Sequence, residues 1–304
     1  MQVSLASTNF SDTLISFAVA QFEYPRGIAK FFRLKQLTSK FNFNTSHTIN
    51  GKKFIIPVIK NMGLLNLSVK EDWLMEVLKK INIPENSSFV DIGVNVGQTL
   101  LIFRSLYSNT YWGFEPNPSC VFYLNSLIKT NKFKNVNILP IGLSSENALL
   151  KFYLKNEVDS AGTIIQELRP DYYDSEQVNF VPLFSFDNLN FNEIKNISLI
   201  KIDVEGAELD VISGLIKTIN KFKPKIICEI LDCHSEKSIP AMQSRADKLI
   251  DLMKSNEYDV YRILHSENPI GFKKIDKLKL QVWSPESFNL NDYLFVPFNS
   301  SPLN

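Results

Sequence analysis

The segment Phe89-Val90-Asp91-Ile92-Gly93-Val94-Asn95-Val96-Gly97-Gln98-Thr99 holds the first residues of the chain that are arranged for chemistry. An apolar run leads into an acid, Asp91, and then into a turn containing Gly93, Asn95 and Gly97. The dinucleotide fingerprint G-x-G-x-x-G rests a pyrophosphate on bare backbone at a helix N-terminus. Here Asn95 stands where the second glycine belongs, and Asp91 precedes the first. A carboxylate facing the turn repels phosphate. It attracts an ammonium or sulfonium, or accepts hydrogen bonds from a neutral ligand. S-Adenosylmethionine has a cationic sulfur, an α-amino group and no phosphate, so it suits the turn better than a dinucleotide. An ordinary strand-to-helix turn with a capping Asp uses the same residue types.

Further acids follow at strand ends. Glu115, in Gly113-Phe114-Glu115-Pro116-Asn117-Pro118, closes the next strand, where a carboxylate can accept from both hydroxyls of a ribose. Asn117 sits beside it, and Pro118 can open a helix. In Lys201-Ile202-Asp203-Val204-Glu205-Gly206-Ala207-Glu208, Asp203 ends a buried strand, Glu205 lies in the turn and Glu208 enters the next helix. There Glu208 serves either the helix dipole or catalysis. Cys228-Glu229-Ile230 places one more acid at the end of a strand, with His234 shortly after. Asp203 and Glu229 on adjacent strands, completed by Glu205 or His234, can act as a general base or orient hydroxyls. The acids Asp203, Glu205 and Glu229 can also hold a divalent cation. Spacing alone leaves these roles open.

These acids need strands to carry them. Trp73, Leu74, Val77, Leu78 and Ile81 have helical spacing over Glu71 to Ile81. From Phe89 onward strands and helices alternate. Strands are expected at 89–92, 111–114, 136–140, 197–203, 225–231 and 258–264, and helices at 98–107, 118–130, 206–217 and 239–256. This order predicts a mostly parallel sheet covered by helices on both faces. Strands at 149–154 and 179–183 flank a polar excursion, 155–177, and the last apolar run, Asp292 to Pro297, can join the sheet in another orientation. Three units are expected: an N-terminal helical arm over 1–50, an edge strand and lead-in helix over 51–84, and the main domain over 85–304.

The chain has 304 residues, 44% of them hydrophobic, and a formal net charge of +1, so nothing in its balance calls for a nucleic acid. Its three cysteines, Cys120, Cys228 and Cys233, form no CxxC pair, which points to a reducing, cytoplasmic setting. The apolar run Leu14 to Ala20 is too short to span a bilayer. The basic, aromatic stretch 26–43 is expected either to pack on its own domain or to make peripheral membrane contact.

Taken in order, Asp91-x-Gly93-x-Asn95-x-Gly97, Phe114-Glu115-Pro116, the run 201–208 and Glu229 resemble the FkbM family of S-adenosylmethionine-dependent methyltransferases. Leu124-Asn125 and Val181-Pro182-Leu183 leading to Phe186-Asp187 are lesser matches. The resemblance covers roughly residues 85 to 235. It implies a class I methyltransferase fold, a Rossmann-like α/β sheet that is mostly parallel with one reversed strand. It also implies methylation of a hydroxyl, often on a sugar or in the tailoring of a secondary metabolite. By this likeness Asp91, Gly93, Asn95 and Gly97 line the methionine end, Glu115 holds the ribose, and Asp203 and Glu205 face a small-molecule or glycan acceptor. A nicotinamide-dependent oxidoreductase and a non-catalytic cofactor-binding module are the competing readings.

Overall fold

The computed structural model describes residues 41–67, 72–154, 162–165, 178–267, 269–287 and 289–302. Its elements run β1 (Phe43–Ile49), β2 (Lys52–Val58), α1 (Asp72–Lys80), β3 (Ser88–Ile92), α2 (Gln98–Leu106), β4 (Thr110–Phe114), α3 (Pro118–Asn131) and β5 (Val136–Leu139). Next come β6 (Gly142–Leu143), β7 (Ala148–Tyr153), β8 (Val178–Phe184), β9 (Ile197–Ile202), α4 (Glu208–Ser213) and α5 (Ile216–Phe222). The chain then continues through β10 (Lys225–Glu229), α6 (Ile239–Ser255), β11 (Tyr258–Leu264), β12 (Gly271–Ile275) and β13 (Asp292–Pro297).

Eight strands form the main sheet in the order β12-β11-β13-β10-β9-β3-β4-β5. The five from β5 to β10 are mutually parallel, while β13 runs antiparallel to both β10 and β11. The expectation of one reversed strand therefore needs a correction. A second, β12, lies antiparallel on the edge of β11. Strand order turns back at β3: β4 and β5 lie on one side of it, and β9 and β10 on the other. In open α/β sheets such a switch point opens a crevice at the carboxyl ends of the strands, and here those ends carry Asp91, Glu115, Asp203 and Glu229.

Side-chain alternation along the strands divides the core in two. Phe89, Leu199 and Ile227 face one way, against β1, β2 and α1 to α3. Val90, Ile92, Ile200, Ile202 and Ile226 face the other way, against α4 to α6. Helix α1 buries Leu74, Val77 and Leu78 completely, at about 1.5–3 kcal/mol for each side chain of this size.

Two local expectations change. The end of the expected helical arm, 43–49, is a strand paired with β2, and residues 1–40 lie outside the described residues. Asn50 and Gly51, both at positive φ, make the two-residue turn favoured by such hairpins. The helix expected over 206–217 is split at Gly214. The Gly214 carbonyl accepts from Asp187 N (3.0 Å) and Ser185 Oγ (3.1 Å), and the Asp187 carboxylate caps α5 by accepting from Lys217 N and Thr218 N (2.7 and 2.9 Å). No described helix is long and apolar enough to cross a membrane.

Candidate active site

A cleft opens at the carboxyl ends of β3, β4, β9 and β10. Its first wall is the turn after β3. Gly93, Asn95 and Gly97 all have positive φ (88°, 55° and 83°). Gly93 N donates to Phe114 O (2.9 Å), Gly97 N donates to Val94 O (3.0 Å), and Asn95 N donates to Glu115 Oε2 (2.7 Å). Glu115 Oε1 accepts from Asn117 N (2.8 Å), so each carboxylate oxygen is held by one backbone amide and keeps acceptor capacity toward the cleft. The Asn117 side chain caps α3 by accepting from Ser119 N (3.0 Å).

The second wall carries Asp203, Glu205 and Glu229. Lys201 Nζ lies 2.9 Å from Asp203 Oδ2. The Glu229 carboxyl hydrogen-bonds Asp203. Burial first, and then the Asp203 charge, hold it well above the usual carboxylate range, so it enters that bond as the donor. Glu205 adopts a left-handed backbone (φ 53°), and its carbonyl accepts from Thr163 Oγ1 (2.6 Å).

Several residues named from the sequence sit elsewhere. Asp91 shares the Phe89 face of β3, so its side chain lies beneath the cleft surface and accepts from Tyr111 Oη. Its Oδ1 is buried without a hydrogen-bond partner. Gly97 packs toward Leu124 and Leu127 as the N-cap of α2. His234 is exposed, its ring parallel to that of Trp283 (8° between planes, centroids 6.4 Å apart), and is not part of the cleft lining. Glu208 serves the helix end, accepting from Gly206 N at 2.9 Å. Among the described residues no group of three or more His, Cys, Asp or Glu is disposed to hold a metal ion, and the expectation of a divalent cation is not supported.

Gly142, Leu143, Phe152 and Thr163 also line the cleft without standing out in the sequence, and Leu183 joins them from the lesser match Val181-Pro182-Leu183. Sequence carries little signal for them, because tertiary pairing of β6, β7 and β8 brings them there. Thr163 comes from within the excursion 155–177 and is fixed by a two-way backbone bridge to Tyr153.

Burial raises Asp91 to about 6, and Glu115 and Glu208 to about 7. An acid whose pKa is raised by folding makes the folded state bind more protons. Its stabilising effect is complete below the unfolded value and is lost as pH rises through the folded one, here between about 4 and 7. The ligand-free protein is therefore expected to melt at a higher temperature at pH 6 than at pH 8, measured by scanning calorimetry. The opposite order would show that these acids are ionised in the fold.

Residues 91–260 match the family model described as the methyltransferase FkbM domain. The chain is 28% identical over 149 residues to Methyltransferase 1 of Beauveria bassiana (strain ARSEF 2860), which covers 43% of this chain and 59% of that protein. It is 25% identical over 161 residues to Methyltransferase sdnD of Sordaria araneosa, covering 44% and 62%. It thus spans less than two thirds of either curated relative. Among solved structures, Methyltransferase FkbM from Methylobacillus flagellatus KT aligns with a TM-score of 0.42 at 14% identity, over 71% of this chain and 44% of that one.

Proposed function

The chain belongs to the FkbM methyltransferase family, and from that premise we propose that it methylates a hydroxyl, that of a sugar in a glycan or glycolipid precursor, with S-adenosylmethionine as donor. The observation that carries this reading is the buried Glu115 carboxylate, clamped by one backbone amide on each oxygen and facing the cleft beside the glycine turn. Two fixed acceptor oxygens suit the vicinal hydroxyls of a ribose. The unpartnered Asp91 Oδ1 beneath the floor suits a cationic ligand. When bound, the donor supplies an electrophilic methyl on a positively charged sulfur.

The acceptor side follows from the opposite wall. Asp203, ionised beside Lys201, accepts the proton of the attacking hydroxyl, and Glu229, held neutral, orients Asp203 by donating to it. Alignment of the acceptor between the two walls supplies much of the remaining rate. Carboxylates that bind hydroxyls support a sugar over an apolar acceptor. A secondary-metabolite hydroxyl would meet the same groups, and comparing extracts separates the two. Mass spectrometry of glycans and of small molecules from cells with and without the gene shows which fraction loses one CH2.

The donor is tested by calorimetry. S-Adenosylhomocysteine is expected to bind and NADH not to bind, and the reverse would establish a nicotinamide enzyme. Because ionised Glu115 is the better acceptor for hydroxyls, affinity for S-adenosylhomocysteine should fall between pH 8 and pH 6, against the trend of ligand-free stability.

A further inference from the structure

The donor wall is anchored from a segment that lies outside the 91–260 family match. Asn66, fully buried in the short turn Leu65–Leu67, donates from Nδ2 to Val96 O (2.7 Å) and to Tyr123 Oη (3.0 Å). Val96 lies between Asn95 and Gly97, two of the left-handed positions of the turn. Other bonds of that turn run to β4, to Glu115, to Cys120 Sγ of α3, into α2 or within the turn itself. Asn66 ties it instead to the stretch that follows the N-terminal hairpin.

The position of Asn66 is itself set. Its N–H donates to Gly63 O (3.1 Å), and Gly63 has φ 92°. A Cβ there would lie 2.3 Å from both Pro57 O and Tyr123 Oη, so the chain passes between β2 and α3 only as bare backbone. Asn66 Oδ1 is buried with no hydrogen-bond partner. A leucine of similar size would avoid that desolvation cost, so packing does not account for an amide here, whereas the bond to Val96 does.

Resting on the methyl-donor reading above, we propose that Asn66 is a positioning residue for donor binding: it clamps the Val96 carbonyl so that the turn presents Asn95 and Glu115 in a preset geometry. Preorganisation of this kind raises affinity by removing the ordering cost of binding.

The test uses the full chain with Asn66→Leu and Tyr123→Phe. Asn66→Leu leaves the Val96 carbonyl without its donor, so it is expected to melt a few degrees lower than the wild type but to stay folded, and to bind S-adenosylhomocysteine about tenfold more weakly. Amide hydrogen exchange should quicken over Val94 to Gly97 and stay unchanged in β11. Tyr123→Phe, which spares the Val96 bond, should bind as the wild type does. A folded Asn66→Leu with wild-type affinity and wild-type exchange in the turn overturns the proposal. If that variant does not fold, Asn66→Ser, too short to reach Val96, takes its place in the same comparison. A wild type that binds no S-adenosylhomocysteine overturns the methyl-donor reading instead, and exchange in the turn then decides alone whether Asn66 fixes it.

Discussion

An Asp203→Asn variant is expected to turn over about 10²- to 10⁴-fold more slowly than the wild type while binding S-adenosylhomocysteine normally. Asparagine keeps the size of the side chain but removes the base. Lys201 at 2.9 Å favours the ionised form of Asp203, and the neutral Glu229 carboxyl donates to it, so both neighbours prepare this residue to take a proton. Glu229→Gln should cost less, because an amide can donate to Asp203 as the protonated acid does. The assay follows label from methyl-labelled S-adenosylmethionine into a glycan extract of cells lacking the gene. Wild-type turnover by Asp203→Asn would remove this residue from the chemistry, and a larger loss in Glu229→Gln would exchange the two roles.

Gly93→Ala is expected to destabilise the fold by at least about 4 kcal/mol, among the largest effects of a single substitution. A Cβ at Gly93 would sit 1.8 Å from the Asp203 carbonyl oxygen and 2.9 Å from its carbon. Neither backbone can retreat cheaply. Gly93 N is bonded to Phe114 O of β4, and Asp203 N to Ile92 O at 3.0 Å, so the turn is held to β4 on one side and to the Asp203 wall on the other. The positive φ of 88° adds about 1–2 kcal/mol for any residue with a Cβ. Gly51 provides the control: its φ is 75°, but nothing lies within 4 Å of an added Cβ. Gly51→Ala should therefore show only the conformational part. Thermal unfolding of both variants measures the difference, on the order of 10 °C. Equal losses at the two positions would mean that the seam is looser than its hydrogen bonds indicate.

What could be read from the sequence was whatever depends on near neighbours. The alternation of strands and helices and the acids at strand ends are short-range patterns, and the cleft lies where those ends converge. Asn50-Gly51 was an equally local hairpin signal, and it explains the strand at Phe43–Ile49 that composition disguised with polar residues. Other features needed the folded chain. The break at Gly214 follows from a close approach to Ser144, whose carbonyl oxygen would lie 2.0 Å from a Cβ there, and from capping by the distant Asp187. Phe152 and Leu183 reach the cleft through a small second sheet, and Thr163 through its bridge to Tyr153, pairings that no local pattern announces. Asp91 is next to the turn in sequence, but strand alternation turns it toward Tyr111. His234 is close to Glu229 along the chain, but that proximity does not bring it to the cleft.

The pairing of β3 with β9, which joins Asp91 to Lys201, also has a consequence for biosynthesis. β3 gains its first neighbour, β4, soon after it leaves the ribosome, but its second only after β9 has been made. At about 5–20 residues per second, the intervening chain takes on the order of ten seconds to synthesise. Throughout that interval the central strand, with Phe89, Val90 and Ile92 all destined for burial, has an unpaired edge of the kind that recruits other chains. The strand that leads into the glycine turn thus keeps an edge open to other chains while the protein is being made.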